Sequence, residues 1–124
     1  MKHLIFMMIT FTVISTGAIA ADNQKGKISE NITISGILVD NHCADAHKSS
    51  MEQFIKSHTK ECALMPDCAA SGYSLYHYGA LLRFDKESSK KVEQFLRKKG
   101  NRLDVVVVVK KAGEKYSLVS IKNK

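Results

Sequence analysis

The sequence predicts a mainly β domain with helices: five strands, a helix between the third and fourth, and a helical insert between the first and second. Three observations predict it. Apolar residues recur with a period of two in several short runs. Two other stretches carry helical spacing with recognisable start and stop residues. All three Cys and four of the five His fall between residues 40 and 77, which marks the insert as Cys/His-rich. The chain has 124 residues, enough for one domain. Its composition, 44% hydrophobic and 25% charged, is that of a globular protein and argues against wholesale disorder.

Residues 1–20 read as a secretory signal peptide. Met1-Lys2-His3 is a short basic start, Leu4 to Ile19 is nearly all apolar or small, and Ala18-Ile19-Ala20 is a small-x-small cleavage site. The apolar run of roughly 16 residues is short of the ~20 that span a bilayer, so cleavage after Ala20 is expected, with no stable membrane span left. No Cys stands at the cleavage point to take a lipid. The compact leader has a bacterial look, which points to a periplasmic or secreted protein. Residues 21–27, including the polar run Asn23–Lys27, are expected to be a flexible leader, and residues 28–124 the domain.

Ile28, Ile32, Ile34 and Leu38 fall on even positions, so Ile28–Val39 is expected to be the first strand. Gly36 within it signals a bulge or sharp coil. Ser50-Met51-Glu52-Gln53 has the form of a capping box. Met51, Phe54, Ile55 and His58 then follow at i, i+3, i+4 and i+7, one helical face. A continuation of that helix would place His58 and Cys62 together, and Pro66 is expected to end it. Tyr73–Tyr78 and Leu81–Phe84 read as strands turning at Gly79. Asp85 is expected to cap a helix with the stripe Val92, Phe95 and Leu96, Lys98 and Lys99 suiting its C-terminal end. Gly100 suits the left-handed residue that follows. Val105–Val109 reads as a buried central strand, and Ala112-Gly113-Glu114 turns it into a last strand, Lys115–Ile121. This order is that of an OB-like five-stranded barrel, with residues 40–72 filling the loop between strands 1 and 2.

Removal of the leader takes Lys2 with it and leaves a net charge of +6, from 18 basic and 12 acidic residues. The basic residues concentrate in Lys86–Arg102 and the last strand, without the interleaved aromatics of a nucleic-acid platform. No nucleic-acid partner is expected. Small ligands, metal ions and exported proteins remain the partner classes.

Any chemistry is expected in residues 40–77. Cys43, His58, Cys62 and Cys68 form a candidate Cys₃His metal set, suited to Zn²⁺, or to Cu(I) with Met65 nearby. Asp40 would stand behind it and orient His58. Exported cysteines are usually paired, so a disulfide within Cys43, Cys62 and Cys68 is the competing expectation. Cys43–Cys62 and Cys43–Cys68 would close loops of roughly 20 to 26 residues and contribute about 3 kcal/mol. One thiol is left over in either case. An alternative from another class is a thiol-dependent enzyme or redox protein in which His58 activates Cys62 or Cys43. No CxxC and no CxxCH is present. His42, His47 and His77 read as structural. Tyr73, Tyr76 and Tyr78 read either as barrel surface or as a stacking face for a sugar or peptide.

The run Gly36-Ile37-Leu38-Val39-Asp40-Asn41-His42-Cys43, with His58, Cys62, Cys68 and Ser71-Gly72-Tyr73, resembles a group of small exported bacterial proteins. Their pattern is G-x-x-x-D-x-x-C, a spacer, H-x-x-C-x-x-x-C and a Gly-led strand. The resemblance is carried by Asp40, Cys43, His58, Cys62, Cys68 and Gly72. This chain has the wider gaps H-x₃-C-x₅-C. The resemblance implies an OB-like β-barrel and a shared site of one Asp, one His and three Cys.

Overall fold

The structure is a computed structural model and describes residues 30–124. The expected signal peptide, the leader and Ile28 lie outside the described residues. Five strands form one antiparallel sheet in the order β3-β2-β1-β4-β5. They are β1 (Ile32–Asp40), β2 (Tyr73–His77), β3 (Ala80–Arg83), β4 (Asp104–Ala112) and β5 (Lys115–Asn123). Four short helices lie between β1 and β2: α1 (Asn41–Ala46), α2 (Met51–Ser57), α3 (Lys60–Ala63) and α4 (Pro66–Ala70). A 3₁₀ turn, Lys48–Ser50, leads into α2, and α5 (Lys86–Arg97) joins β3 to β4. The element order read from the sequence is therefore present.

β1 serves two neighbours in succession. Its first part, Ile32–Ile37, pairs with β4, and its last part, Ile37–Asp40, pairs with β2. The exchange occurs at Ile37, which pairs with both Asp104 and Tyr76, and Gly36 beside it is closely approached by β2. A Cβ on Gly36 would lie 2.4 Å from the carbonyl oxygen of Tyr76 and 2.9 Å from Cγ of Leu75. The two outer strands, β3 and β5, meet at one parallel bridge between Phe84 and Tyr116, beside the bond from the Asp85 N–H to the Tyr116 carbonyl (2.9 Å).

Successive residues of a strand face opposite sides, and the end of β1 is buried on both. Leu38 joins the main core with Leu75, Phe84, Val92, Leu96, Val105, Val107, Val109 and Leu118. Val39 joins a second cluster with Ala44 and Met51, against which Phe54, Ile55 and Tyr76 pack. The insert thus covers one face of the strand while the main core covers the other. β4 lies between β1 and β5, but it alternates: Val105, Val107 and Val109 are buried, whereas Val106 and Val108 are half-buried. It is not buried on both faces along its length, as a continuous Val run suggests.

α5 begins as the sequence predicts. Asp85 caps it by accepting the Ser88 N–H at 2.8 Å. Its next turn also serves the sheet: Ser88 Oγ accepts the Leu118 N–H (2.7 Å) and Ser89 Oγ accepts the Tyr73 N–H (3.0 Å). The helix ends at Arg97, before the expected Lys98 and Lys99, and Gly100 takes its left-handed φ of 85° three residues beyond.

The insert departs from expectation in one important respect. The helix beginning at Met51 does not continue to Cys62. His58 is extended (φ −70°, ψ 132°), and Thr59 opens a new helix by accepting the Cys62 N–H at 3.2 Å. A local cap competes successfully with continuation because it satisfies a backbone donor that a helix start would otherwise leave unpaired. Pro66 does not simply end a helix. It occupies the first turn of α4, where its missing N–H costs nothing. Ser50 does stand at the start of α2, but its side chain makes no capping bond.

Candidate metal centre

Each of the three cysteines sits at the third position of a short helix. Asp40 precedes Cys43 by three residues at the start of α1, Thr59 precedes Cys62 at α3, and Met65 precedes Cys68 at α4. Asp40 and Thr59 are side-chain caps, and in each case the capped backbone N–H is that of the cysteine (2.8 and 3.2 Å). The same local device therefore fixes where two of the sulfurs leave the backbone. Cys43 belongs to the first turn of α1, not to the end of the strand.

These helices converge. One ligand atom from each of Cys43, His58 and Cys62 lies within 4.8 Å of the others, and so do atoms of Asp40, Cys43 and Cys68. Cys43 is common to both groups. All five predicted site residues are thus brought into one locality, with Cys43 shared by the two groups. The i, i+4 helical clamp expected for His58 and Cys62 is absent, and the tight break at His58-Thr59 brings them together instead. Met65 is 55% exposed at the start of α4.

Asp40 and His58 are at the bottom of the site. Both side chains are fully buried, and Asp40 Oδ2 lies 3.3 Å from His58 Nε2 without hydrogen-bond geometry. Asp40 Oδ2 and both ring nitrogens of His58 have no hydrogen-bond partner among the described residues. Burying such atoms unpaired costs on the order of 1–3 kcal/mol each. Phe54 packs its ring 4.8 Å from that of His58 and stacks on His47 at 4.1 Å. That aromatic wall fixes the imidazole, and the i, i+4 spacing of Phe54 and His58 was its signal in the sequence. Tyr73 ties the insert to the sheet by donating its hydroxyl to the Ala63 carbonyl (2.7 Å). Among the other histidines, His42 is exposed and His77 holds Ser35 O through Nδ1 at 2.6 Å.

The electrostatics follow from burial. Burial alone would raise the Asp40 carboxyl, but His58 and the Cys43 N–H outweigh it and hold the group below the usual carboxylate range. Burial, then the neighbouring Asp40 charge, pushes the Cys43 thiol far up. Cys68 is raised mainly by burial as well. Without a cation these two sulfurs stay protonated. The three cysteines are free thiols in the structure.

Comparison with protein-family models, with curated proteins and with solved structures returned no match.

Proposed function

We propose that this chain is an exported small binding module, built on an OB-like barrel, whose insert holds a transition-metal ion. Cys43, His58 and Cys62 are its ligands, Cys68 is the next thiol in reach, and Asp40 orients His58. The observation that carries the reading is the buried imidazole of His58 beside two thiols: among the described residues its Nδ1 has no partner, and its Nε2 faces only the Asp40 carboxylate, at 3.3 Å. A protein interior does not keep such a group unsatisfied without compensation, and a metal ion with an outer carboxylate on the imidazole supplies it. A Cys₂His donor set suits Cu(I), and Zn²⁺ with one added donor. The ligand atoms need to approach to about 3.5–3.8 Å for tetrahedral Zn²⁺, closer than the 4.8 Å within which they lie.

The barrel reading is supported by the strand order and the meeting of β3 with β5 at Phe84 and Tyr116. Export is supported by the character of residues 1–20, and membership among the small exported bacterial proteins by the Asp, His and three Cys it shares with them. A thiol-dependent enzyme is less well supported. Its nucleophile needs a lowered thiol pKa, and that of Cys43, one of its two candidates, is raised.

Native mass spectrometry of the purified protein tests the reading. Loading with Zn²⁺ or Cu(I) is expected to add one ion of roughly 63–65 Da, released on acidification with three alkylatable thiols. Cys62→Ser and His58→Gln are expected to lose the adduct. A mass about 2 Da low, one alkylatable thiol and no adduct would instead establish a disulfide-stapled insert.

A further inference from the structure

Away from the thiols, a groove of about 560 Å³ runs between α2 and the middle of β1, and the β2–β3 turn closes one end. That is the size of a small-ligand site. The turn is the unusual feature. Tyr78 and Gly79 are its two central residues, with φ of 41° and 86°, so both are left-handed. Two-residue hairpins of this kind favour Asn-Gly, because a bulky side chain in the left-handed region is strained. Here the first position carries a Tyr that is 90% exposed. Its ring packs edge-on against His77 (4.7 Å), and His77 is in turn fixed on the Ser35 carbonyl. Beyond that edge contact the ring buries almost nothing to offset its strain, and such outliers gather at binding sites.

The rim is charged in both senses. α2 contributes Glu52 and Lys56, and the start of β4 and the end of β5 contribute Asp104 and Lys124. None of the four makes an ion pair with another described residue. Two unpaired carboxylates and two unpaired ammonium groups around an aromatic floor are complementary to a ligand that carries both charges and a ring.

We infer that this groove binds a short zwitterionic peptide, with an aromatic side chain stacked on Tyr78, its ammonium toward Glu52 or Asp104 and its carboxylate toward Lys56 or Lys124. Tyr76 and Ile55 supply the apolar surface beneath the ring. The inference does not use the thiols and stands whether or not they hold a metal.

Amide chemical-shift titration of the isotope-labelled protein tests it, with glycyl-tryptophan as probe. Saturable shifts are expected at Ile55, Lys56 and Tyr78. N-acetyl-tryptophanamide, which lacks both charges, is expected to bind about two- to thirtyfold more weakly, the loss of two exposed ion pairs. Tyr78→Asn is expected to weaken binding by about two- to tenfold, since ring stacking is lost, while its melting temperature holds or rises because Asn suits the turn. Cys62→Ser is expected to bind as the parent does. The proposal is overturned if glycyl-tryptophan gives no saturable shift, if the uncharged analogue binds equally, or if Tyr78→Asn binds undiminished. Saturable binding of maltose with none of the dipeptide would assign the groove to a neutral sugar and overturn it too.

Discussion

The two oxygens of the Asp40 carboxylate face different groups: Oδ1 accepts the Cys43 N–H at 2.8 Å, and Oδ2 lies 3.3 Å from His58 Nε2. One residue at the end of β1 therefore starts the helix that carries a sulfur and faces the imidazole beside it. The two jobs separate by mutation.

Asp40→Asn keeps an N-cap acceptor but removes the charge that faces His58. We expect a loss of metal affinity on the order of 10–100-fold with little change in melting temperature. Asp40→Ala loses the cap as well and is expected to cost about a further 1 kcal/mol. Competition titration against a chromophoric chelator measures the first effect, and urea unfolding the second. Equal affinity in parent and Asp40→Asn would remove Asp40 from the site.

Thr59 acts at Cys62 as Asp40 acts at Cys43. Thr59→Ala is expected to destabilise by about 1 kcal/mol, and Thr59→Ser by much less, since Ser caps equally well. The denaturation midpoint of the metal-free protein checks this. If the two variants unfold together, the Thr59–Cys62 bond does not hold the break in the insert.

Gly36 is required by close approach and not by its torsion angles. The Cβ of Gly36→Ala would meet the Tyr76 carbonyl at 2.4 Å, and neither strand can withdraw without breaking the β1–β2 pairing. A loss of at least about 2 kcal/mol is expected. A Gly36→Ala variant with parental stability would show that the Tyr76 carbonyl does not approach Gly36 so closely.

Asp85 gives a pH dependence away from the site. Burial works to raise its carboxyl, but the Ser117 hydroxyl and the Ser88 N–H prevail and lower it from 3.8. A carboxyl lowered by folding contributes stability that is complete above its unfolded value. That contribution is lost as pH falls through the lower folded value. Asp85→Asn is therefore expected to shallow the fall in melting temperature below about pH 4 while costing stability at neutral pH. A parental acid limb in this variant would refute the assignment.

The thiols are expected to alkylate in a fixed order in the metal-free protein. Cys62 is half-buried, Cys68 is 7% exposed, and the Cys43 thiol is held protonated by burial and by Asp40. Cys62 should be modified first and Cys68 last, as peptide mapping after brief iodoacetamide treatment would reveal. Simultaneous labelling of all three would mean that the insert is open in solution.

By itself the sequence determined what local forces control. The even spacing of Ile32, Ile34 and Leu38 marked β1, Asp85 marked the start of α5, and Gly79 marked a hairpin, although the strand before it ends at His77 and not at Tyr78. It also drew the Asp, His and Cys residues into one window. The apolar spacing Met51, Phe54, Ile55 and His58 was legible too, but its extension to Cys62 was not real. There the Thr59 cap and the burial of His58 against Asp40 outweighed the small gain of one more helical turn. Only the tertiary structure decided that Cys43 would be shared between two groups of ligand atoms, and that Tyr76 would approach Gly36. Only it placed the charges of α2 and β4 around one groove. Those relationships join residues far apart in sequence, and their energies come from desolvation and close packing, which no local spacing encodes.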